Sequence, residues 1–332
     1  MLAPSFMHSG KGLASLAIKR FVRLGIPVLI ASLLALVLLL LLPNSRAHVS
    51  MLSRSAWLAA LGLNPLTAVA LTKDILLSAM VIGYEGSSVF ASLANILPPA
   101  MLPTSIGLAL NAPSWTLHVE FWGSMLVLAF SVLWRSLNKW LFWALYASAV
   151  LLLGSNHFNL FLFGFLLFHV YANNTIQGKP WHAGIGVALI VMGMYVCVVK
   201  DVTIVSLALE ILHLVSWFDA LSNFHWQSQV GAMSVFCGVL LSASAQSWFA
   251  NPLAQWLGKV SFSVYLLHFP ILITVGCAVF LLLPGSYALA CLASALAGAT
   301  MTFVLASLFE KYVDRRAVRW SKQLSGESSS IT

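Results

Sequence analysis

Charged side chains are scarce in this sequence, since 8% of its 332 residues are Asp, Glu, Lys or Arg. Soluble globular proteins carry about 25% charged residues, so the composition excludes a soluble globule. Hydrophobic residues make up 60% of the chain, and its mean hydropathy is +0.94. This composition predicts an all-α, polytopic helical membrane bundle.

Acidic residues are scarcer than basic ones: the chain has 9 Asp and Glu and 17 Lys and Arg, which give a formal net charge of +8. A positive excess raises the question of a nucleic-acid partner. The basic residues instead cluster beside apolar runs, which is where membrane topology places them. We therefore expect contact with membrane lipids and no nucleic acid.

Cysteine is also rare. Cys197, Cys237, Cys277 and Cys291 all lie in apolar runs, without the spacing of a metal site. We expect them to be small buried core residues, with no disulfide and no metal.

The N-terminal residues lack a positive region followed by a long apolar run, so no secretory signal peptide is recognisable.

Long apolar runs make up most of the chain. Eight of them are candidate membrane helices, over residues 24–42, 115–134, 140–155, 158–172, 183–199, 230–245, 260–283 and 286–309. About 20 apolar residues cross a hydrocarbon core of about 30 Å, and the third and fourth runs are shorter and could form a re-entrant pair. Charges and prolines interrupt residues 43–113, which we interpret as short interfacial or re-entrant helices.

The segment 202–218 decides between eight and nine crossings, because it is mostly apolar but carries Glu210 and His213. Eight spans place 13 of the 17 basic residues on one side and 4 on the other, whereas nine spans give 7 and 10. The positive-inside rule therefore favours about eight spans with both termini in the cytoplasm.

The first polar motif, Asn111-Ala-Pro-Ser-Trp-Thr-Leu-His-Val-Glu120, leads into the second apolar run. Pro113 disfavours helix before it, and Ser114 can cap a helix that starts at Trp115. Glu120 then lies just below the outer membrane surface, where a carboxylate costs about 2.5–3.5 kcal/mol in hydrocarbon. It therefore faces a bundle interior, a wet cavity or a partner, or it only stabilises helix packing.

The second polar motif lies in the run 257–270, where Ser261, Tyr265 and His268 follow i, i+4, i+7 spacing on one helix face. Pro270 lacks a backbone N–H and so frees the carbonyl of Leu266. A neutral His whose tautomer is fixed by a partner can act as a general base. The alternative is that Tyr265 and His268 only bond to neighbouring helices, for about 0.6–2 kcal/mol.

Four ordered stretches resemble the acyltransferase-3 family of integral membrane acyltransferases. Residues 114–122 resemble its Trp-Ser-Leu-x-x-Glu-x-x-Tyr signature, and residues 18–27 resemble its Arg-x-x-Arg-Leu-x-Pro motif. Residues 257–270 are similar to its Leu-Gly-x-x-Ser-Tyr-x-x-Tyr-Leu-x-His-x-Pro helix. Residues 309–314 resemble the Glu-containing exit of its last helix.

The resemblance implies a ten-helix fold in the bacterial cytoplasmic (inner) membrane, of which the eight runs are the third to tenth helices. Members begin with a helix that carries an Arg and, further on, a His resembling the catalytic base. Residues 1–23 supply no such pair, so we expect a chain that lacks the first two helices.

We divide the chain into an incomplete acyltransferase-like domain, residues 1–310, and a basic, partly disordered cytoplasmic tail, residues 311–332. At the boundary, Glu310 is expected to form an ion pair with Lys311 or Arg315 rather than to act in catalysis. The oligomeric state is left open.

The implied reaction moves an acyl group, often acetyl, from acetyl-CoA or another acyl-CoA to a hydroxyl of an envelope glycan or small molecule. CoA is then a substrate, and no cofactor is expected to stay bound. The expected site residues are His268, Glu120 and Tyr265 for catalysis, Trp115, Ser114 and Ser261 for the acceptor, and Arg20 and Arg23 for the donor. Arg binds phosphate bidentately, although the two Arg residues are also plain topology determinants.

Two other classes of function stay open. A chain without the family's first helices could be a non-catalytic truncated enzyme or an assembly partner. A small-molecule transporter would also place Glu120, Glu210, His213 and His268 beside a membrane pathway. Transporters of this kind show corresponding interrupted spans in two halves, and the sequence has no such symmetry.

Overall fold

The computed structural model describes residues 13–61, 67–90, 95–98, 101–153, 156–173, 180–198 and 225–324. Regular structure within these residues is helical, apart from one isolated bridge between Tyr84 and Thr104. The all-α prediction is therefore confirmed. The ambiguous segment 202–218 lies outside the described residues.

The described residues contain fourteen α-helices. They are α1 (Leu13–Leu41), α2 (Ser45–Ser53), α3 (Ala56–Ala60), α4 (Ala68–Lys73), α5 (Trp115–Ser136), α6 (Lys139–Leu153), α7 (Phe158–Asn173), α8 (Pro180–Val198), α9 (His225–Leu241), α10 (Ala243–Phe249), α11 (Pro252–Ile271), α12 (Cys277–Leu281), α13 (Tyr287–Phe309) and α14 (Arg315–Leu324). Wider π-helical turns extend α4 over Asp74–Ile82, join α11 to α12 over Leu272–Gly276, and join α13 to α14 over Glu310–Asp314.

Four helical stretches of the described chain are long and apolar enough to cross a membrane: Ala14–Leu41, Ala112–Ser136, Pro252–Leu281 and Tyr287–Leu324. The α9 and α10 pair, bent by 94°, makes a fifth if it is one span. The apolar helices α6, α7 and α8 are shorter. The protein is therefore an integral membrane protein. Each predicted run coincides with one of these helices, and the count of eight crossings stays a prediction.

Residues 43–113 contain short elements, as predicted. Helices α2, α3 and α4 are followed by two 3₁₀ turns, Ile106–Leu108 and Ala112–Ser114. The second of these turns leads directly into α5, so the predicted helix start at Trp115 is confirmed.

The described residues form two compact units. The first contains those from 13 to 122 and from 256 to 324, and the second contains those from 123 to 255. All eight candidate site residues belong to the first unit. So does the segment 311–324, which is helical and packs with α1 instead of extending from the bundle.

The core of the first unit is built from α1, α5, α11 and the end of α13. Apolar side chains of these helices, with Ala79 from the π-helical stretch after α4, form one buried cluster: Val28, Ala31, Leu38, Ala79, Leu117, Leu266, Leu267, Ile271 and Phe309. This cluster fixes the relative positions of the helices that carry the candidate site residues.

The four cysteines are free thiols, but only Cys277 is buried, and Cys197 and Cys291 are exposed. The prediction of four buried core residues is therefore wrong. Lipid chains are as apolar as a protein core, so a small apolar side chain in a membrane helix is equally stable facing outward.

In the second unit, α8 and α9 pack along a seam of glycines. A Cβ built on Gly186 would lie 2.8 Å from the carbonyl oxygen of Gly238, and one built on Gly193 would lie 2.6 Å from that of Gly231. The two contacts are about two turns apart on each helix. Small residues at such positions let membrane helices approach closely, so dispersion forces between the backbones hold the pair together.

We expect Gly193→Ala to lower the free energy of unfolding by about 1–2 kcal/mol, because the added methyl group forces α8 and α9 apart. Gly184→Ala is the matched control on the same helix, since a Cβ there meets no atom within 4 Å. Unfolding of the purified protein in mixed micelles with SDS measures both. Equal midpoints for the two variants would contradict the close packing of the seam.

Candidate active site

Arg20 on α1 and Glu120 on α5 form an ion pair, in which Nη2 of Arg20 donates to Oε1 of Glu120 at 3.1 Å. The Arg20 side chain is 10% exposed and the Glu120 side chain is 39% exposed. The sequence predicts Glu120 just below the outer membrane surface, and it gives no sign of a pair with Arg20. A charge away from water is costly alone, and pairing reduces that cost.

Glu120 lies inside the bundle because α5 begins in a buried position beside α11. Asn111 and Ser114, just before the helix, are 3% and 2% exposed. The side-chain amide of Asn111 donates to the carbonyl of Leu266 at 2.8 Å. Pro270 has no backbone N–H, so this carbonyl receives no hydrogen bond from its own helix. The free acceptor predicted from the sequence is bonded by Asn111.

Tyr265 of α11 contacts the same end of α5. Its hydroxyl donates to the carbonyl of Pro113, and it lies 2.5 Å from Oγ1 of Thr116. Thr116 and Glu120 are one turn apart on the same helix face, so Tyr265 lies along the face that carries the ion pair. In this geometry the phenol positions α5 against α11.

Ser114 belongs to a buried hydrogen-bond network. Its hydroxyl donates to the carbonyl of Asn111 at 2.6 Å and lies 3.3 Å from the Tyr84 hydroxyl. Tyr84 donates to Oδ1 of Asp74 at 2.7 Å, and the N–H of Leu110 donates to Oδ2 at 3.0 Å. Burial raises the pKa of Asp74 and raises that of Tyr84 well above its usual value.

Sequence reasoning missed Asp74 and Tyr84 as part of this site. The available signal was Asp74 itself, a carboxylate at the start of the apolar stretch Asp74–Ile82. Its two partners come from distant loops, which no local pattern indicates. His118 was missed as well: it is buried two residues before Glu120, and its Nε2 accepts from the N–H of Val89 at 3.0 Å.

His268 lies on α11 with its ring centroid 6.0 Å from that of Tyr265. Its Nδ1 is 2.9 Å from the carbonyl oxygen of Tyr265 and 3.2 Å from that of Val264. Because carbonyl oxygens only accept hydrogen bonds, this geometry assigns the proton to Nδ1. Nε2 is then the basic nitrogen, and the helix backbone is the group that fixes the tautomer.

A large cavity opens beside the Arg20–Glu120 pair, with a volume of about 1010 Å³. Its size is at the upper end of the usual range for ligand sites, about 300–1,000 Å³. It is lined by Arg20, Arg23, Leu24, Glu120, Gly258, Lys259, Ser261, Phe262, Glu310, Lys311, Tyr312, Asp314, Arg315, Arg316, Val318, Arg319 and Lys322. Eight of these side chains are basic and three are acidic, so the cavity suits a polyanion.

The structure thus divides the candidate residues into two neighbouring groups. Arg20, Arg23, Glu120 and Ser261 line the basic cavity. The others are not among its lining residues: Ser114, Trp115, Tyr265 and His268. Ser114 and Trp115 lie at the start of α5. Tyr265 and His268 lie on α11, one and two turns beyond Ser261.

The ion pair predicted for Glu310 is confirmed, since Nε of Arg315 donates to its Oε1 at 2.7 Å. Both residues line the cavity, and Arg315 is the first residue of α14.

Comparison with protein families gives one match. A family model described as "Acyltransferase domain", that of the acyltransferase-3 family, matches residues 6–309. Comparisons with curated proteins and with solved structures found no match. The matched region includes all eight candidate residues, and the resemblance to the family is confirmed. This chain belongs to the acyltransferase-3 family and is a membrane acyltransferase.

Proposed function

We propose that the protein is an O-acyltransferase that moves an acyl group, in the first instance acetyl, from acyl-CoA to a hydroxyl of an envelope glycan or exported small molecule. The observation that carries this proposal is the basic cavity beside the Arg20–Glu120 pair. Family membership supplies the reaction class, and the cavity supplies a site for a phosphorylated donor.

The donor's nucleotide part carries a pyrophosphate and a further phosphate. Arg23 is exposed and lines the cavity, and Arg20 is oriented there by Glu120. A guanidinium group offers parallel N–H donors that match phosphate oxygens, and a fixed guanidinium loses less entropy on binding. Glu120 in this proposal acts first on Arg20, which refines the expectation that it is a catalytic residue.

The reacting groups are placed along α11. Ser261 lines the cavity, and Tyr265 and His268 follow about 6 Å and 10 Å further along the helix axis. In the transfer step the acceptor oxygen bonds to the thioester carbonyl carbon, the carbon–sulfur bond breaks, and the CoA thiolate leaves. The acceptor proton passes to an imidazole, and in this proposal Nε2 of His268, its basic nitrogen, accepts or relays it.

We place the cavity on the cytoplasmic side of a bacterial inner membrane, with both termini in the cytoplasm. All eight basic lining residues fall on the side of the predicted topology that holds 13 of the 17 Lys and Arg residues. Acyl-CoA is available on that side. The acceptor then reaches the acyl group from the opposite side or from within the bundle, where Trp115 offers an apolar face to a sugar ring.

Donor binding tests the proposal directly. We expect Arg23→Gln to weaken acetyl-CoA binding about tenfold, because one charge-assisted hydrogen bond contributes about 1.5–3 kcal/mol. Arg54→Gln is the control, since Arg54 is also exposed but does not line the cavity. Isothermal titration of the protein in phosphatidylcholine nanodiscs measures both variants.

The acyl-transfer reaction is followed with radiolabelled acetyl-CoA and a membrane glycan fraction. His268→Ala is expected to lose transfer while it retains donor binding. Failure of the unmodified chain to bind acetyl-CoA would contradict the proposal, and solute uptake into proteoliposomes without any acyl donor would favour the transporter class.

A further inference from the structure

The C-terminal segment, residues 310–322, supplies nine of the seventeen residues that line the basic cavity. Nine lining residues come from α14 and the π-helical turn before it: Glu310, Lys311, Tyr312, Asp314, Arg315, Arg316, Val318, Arg319 and Lys322. Five of these are basic, whereas α1 contributes two basic residues and α11 contributes one. The family match ends at residue 309, so this wall lies outside the matched region.

Small residues hold α14 against α1. Ala317 and Ser321, one turn apart, are 0% and 1% exposed, and α14 packs along α1. Arg315, Arg319 and Lys322 follow i, i+4, i+7 spacing, so they share a face of the helix. The helix is thus fixed by its small residues while its basic residues face the cavity.

Carboxylates in the cavity neutralise only part of this charge. Glu310 pairs with Arg315 at 2.7 Å, and Glu120 pairs with Arg20 at 3.1 Å. With Asp314 there are three carboxylates against eight cationic groups, an excess of five positive charges. Like charges on converging helices repel each other, so a bound polyanion would stabilise this arrangement.

We propose that α14 is a phosphate-binding element of the donor site, in which Arg316, Arg319 and Lys322 bind phosphate groups of the acyl donor's nucleotide part. This inference rests on the proposed function, because it takes the ligand to be an acyl-CoA. The same phosphate chemistry is available in anionic lipid headgroups, which also attract basic segments next to a membrane span. The test therefore separates the two sources.

The experiment uses the full 332-residue chain in phosphatidylcholine nanodiscs, titrated with CoA. We expect Arg316→Gln with Arg319→Gln to weaken CoA binding about 100-fold, since two charge-assisted contacts are lost. Arg54→Gln with Lys139→Gln is the control: it removes the same charge from two exposed residues outside the cavity. Arg316→Lys with Arg319→Lys is expected to restore part of the affinity. Unfolding midpoints show whether each variant is folded.

The outcomes separate this inference from the proposed function. Unchanged CoA affinity in the Arg316→Gln, Arg319→Gln variant, with weaker binding in Arg23→Gln, would overturn the inference and leave the proposed function standing. No CoA binding by the unmodified chain would overturn both. Retention of phosphatidylglycerol is measured in nanodiscs that contain both lipids. If the double variant binds CoA normally but retains less phosphatidylglycerol, α14 binds lipid headgroups and the inference is overturned.

Discussion

Glu120→Gln is expected to destabilise the protein by about 3 kcal/mol, because it leaves the guanidinium of Arg20 buried without its carboxylate. The Arg20 side chain is only 10% exposed, so water replaces the lost partner only in part. Arg20→Gln is expected to cost less, about 1 kcal/mol, since the Glu120 side chain is 39% exposed and faces the cavity.

A double-mutant cycle measures this asymmetry. Removing both charges is expected to destabilise less than Glu120→Gln alone, because no unpaired charge is then left in the bundle. SDS unfolding in mixed micelles gives the free energies, and acyl transfer is measured on the same samples. Equal costs for the two single variants, adding in the double variant, would show that the groups are not coupled. We expect all three variants to lose acyl transfer.

The location of the helices could be predicted from the sequence because each apolar run is a local property, although α1 begins at Leu13, before its apolar run. An uncharged stretch such as residues 24–42 needs no information from the rest of the chain to be a membrane helix. The same holds for Pro270, which frees the carbonyl of Leu266 whatever surrounds it. The ion pair of Glu310 with Arg315 was predictable for the same reason, since the two are five residues apart.

The arrangement of the helices could not be predicted in this way. Arg20 and Glu120 are 100 positions apart, and their contact depends on where α5 begins relative to α1. A hydropathy pattern predicts that each end of a membrane helix lies at a membrane surface. The N-terminal end of α5 is instead buried, because the Asn111 amide before it donates a hydrogen bond to α11. This contact is a property of the assembled bundle. In lipid, hydrophobicity does not distinguish one apolar helix face from another, so packing decides.

The packing of the C-terminal segment could not be predicted for a related reason. A run of basic residues after the last span reads as a solvated tail that sets topology. The small residues that hold it in place, Ala317 and Ser321, carry no strong signal in the sequence. Their significance depends on the neighbouring surface of α1.

Asn111→Ala is expected to destabilise the protein by about 3 kcal/mol, the second large effect. The substitution leaves the Leu266 carbonyl buried without a donor and opens a small cavity at the start of α5. The cost depends on Pro270, since this residue is the reason that the carbonyl lacks a donor from its own helix. In Pro270→Ala the backbone N–H of residue 270 can donate to Leu266.

The Asn111 amide is therefore needed less in that background, and we expect Asn111→Ala to cost about 1 kcal/mol there, leaving mainly the cavity term. Equilibrium unfolding in mixed micelles of the two single variants and the double variant measures the difference. If Asn111→Ala costs the same with Pro and with Ala at position 270, the amide stabilises α5 by some other contact. If the cost falls as expected, the break that Pro270 makes in α11 is the feature that holds the beginning of α5, and with it Glu120, inside the bundle.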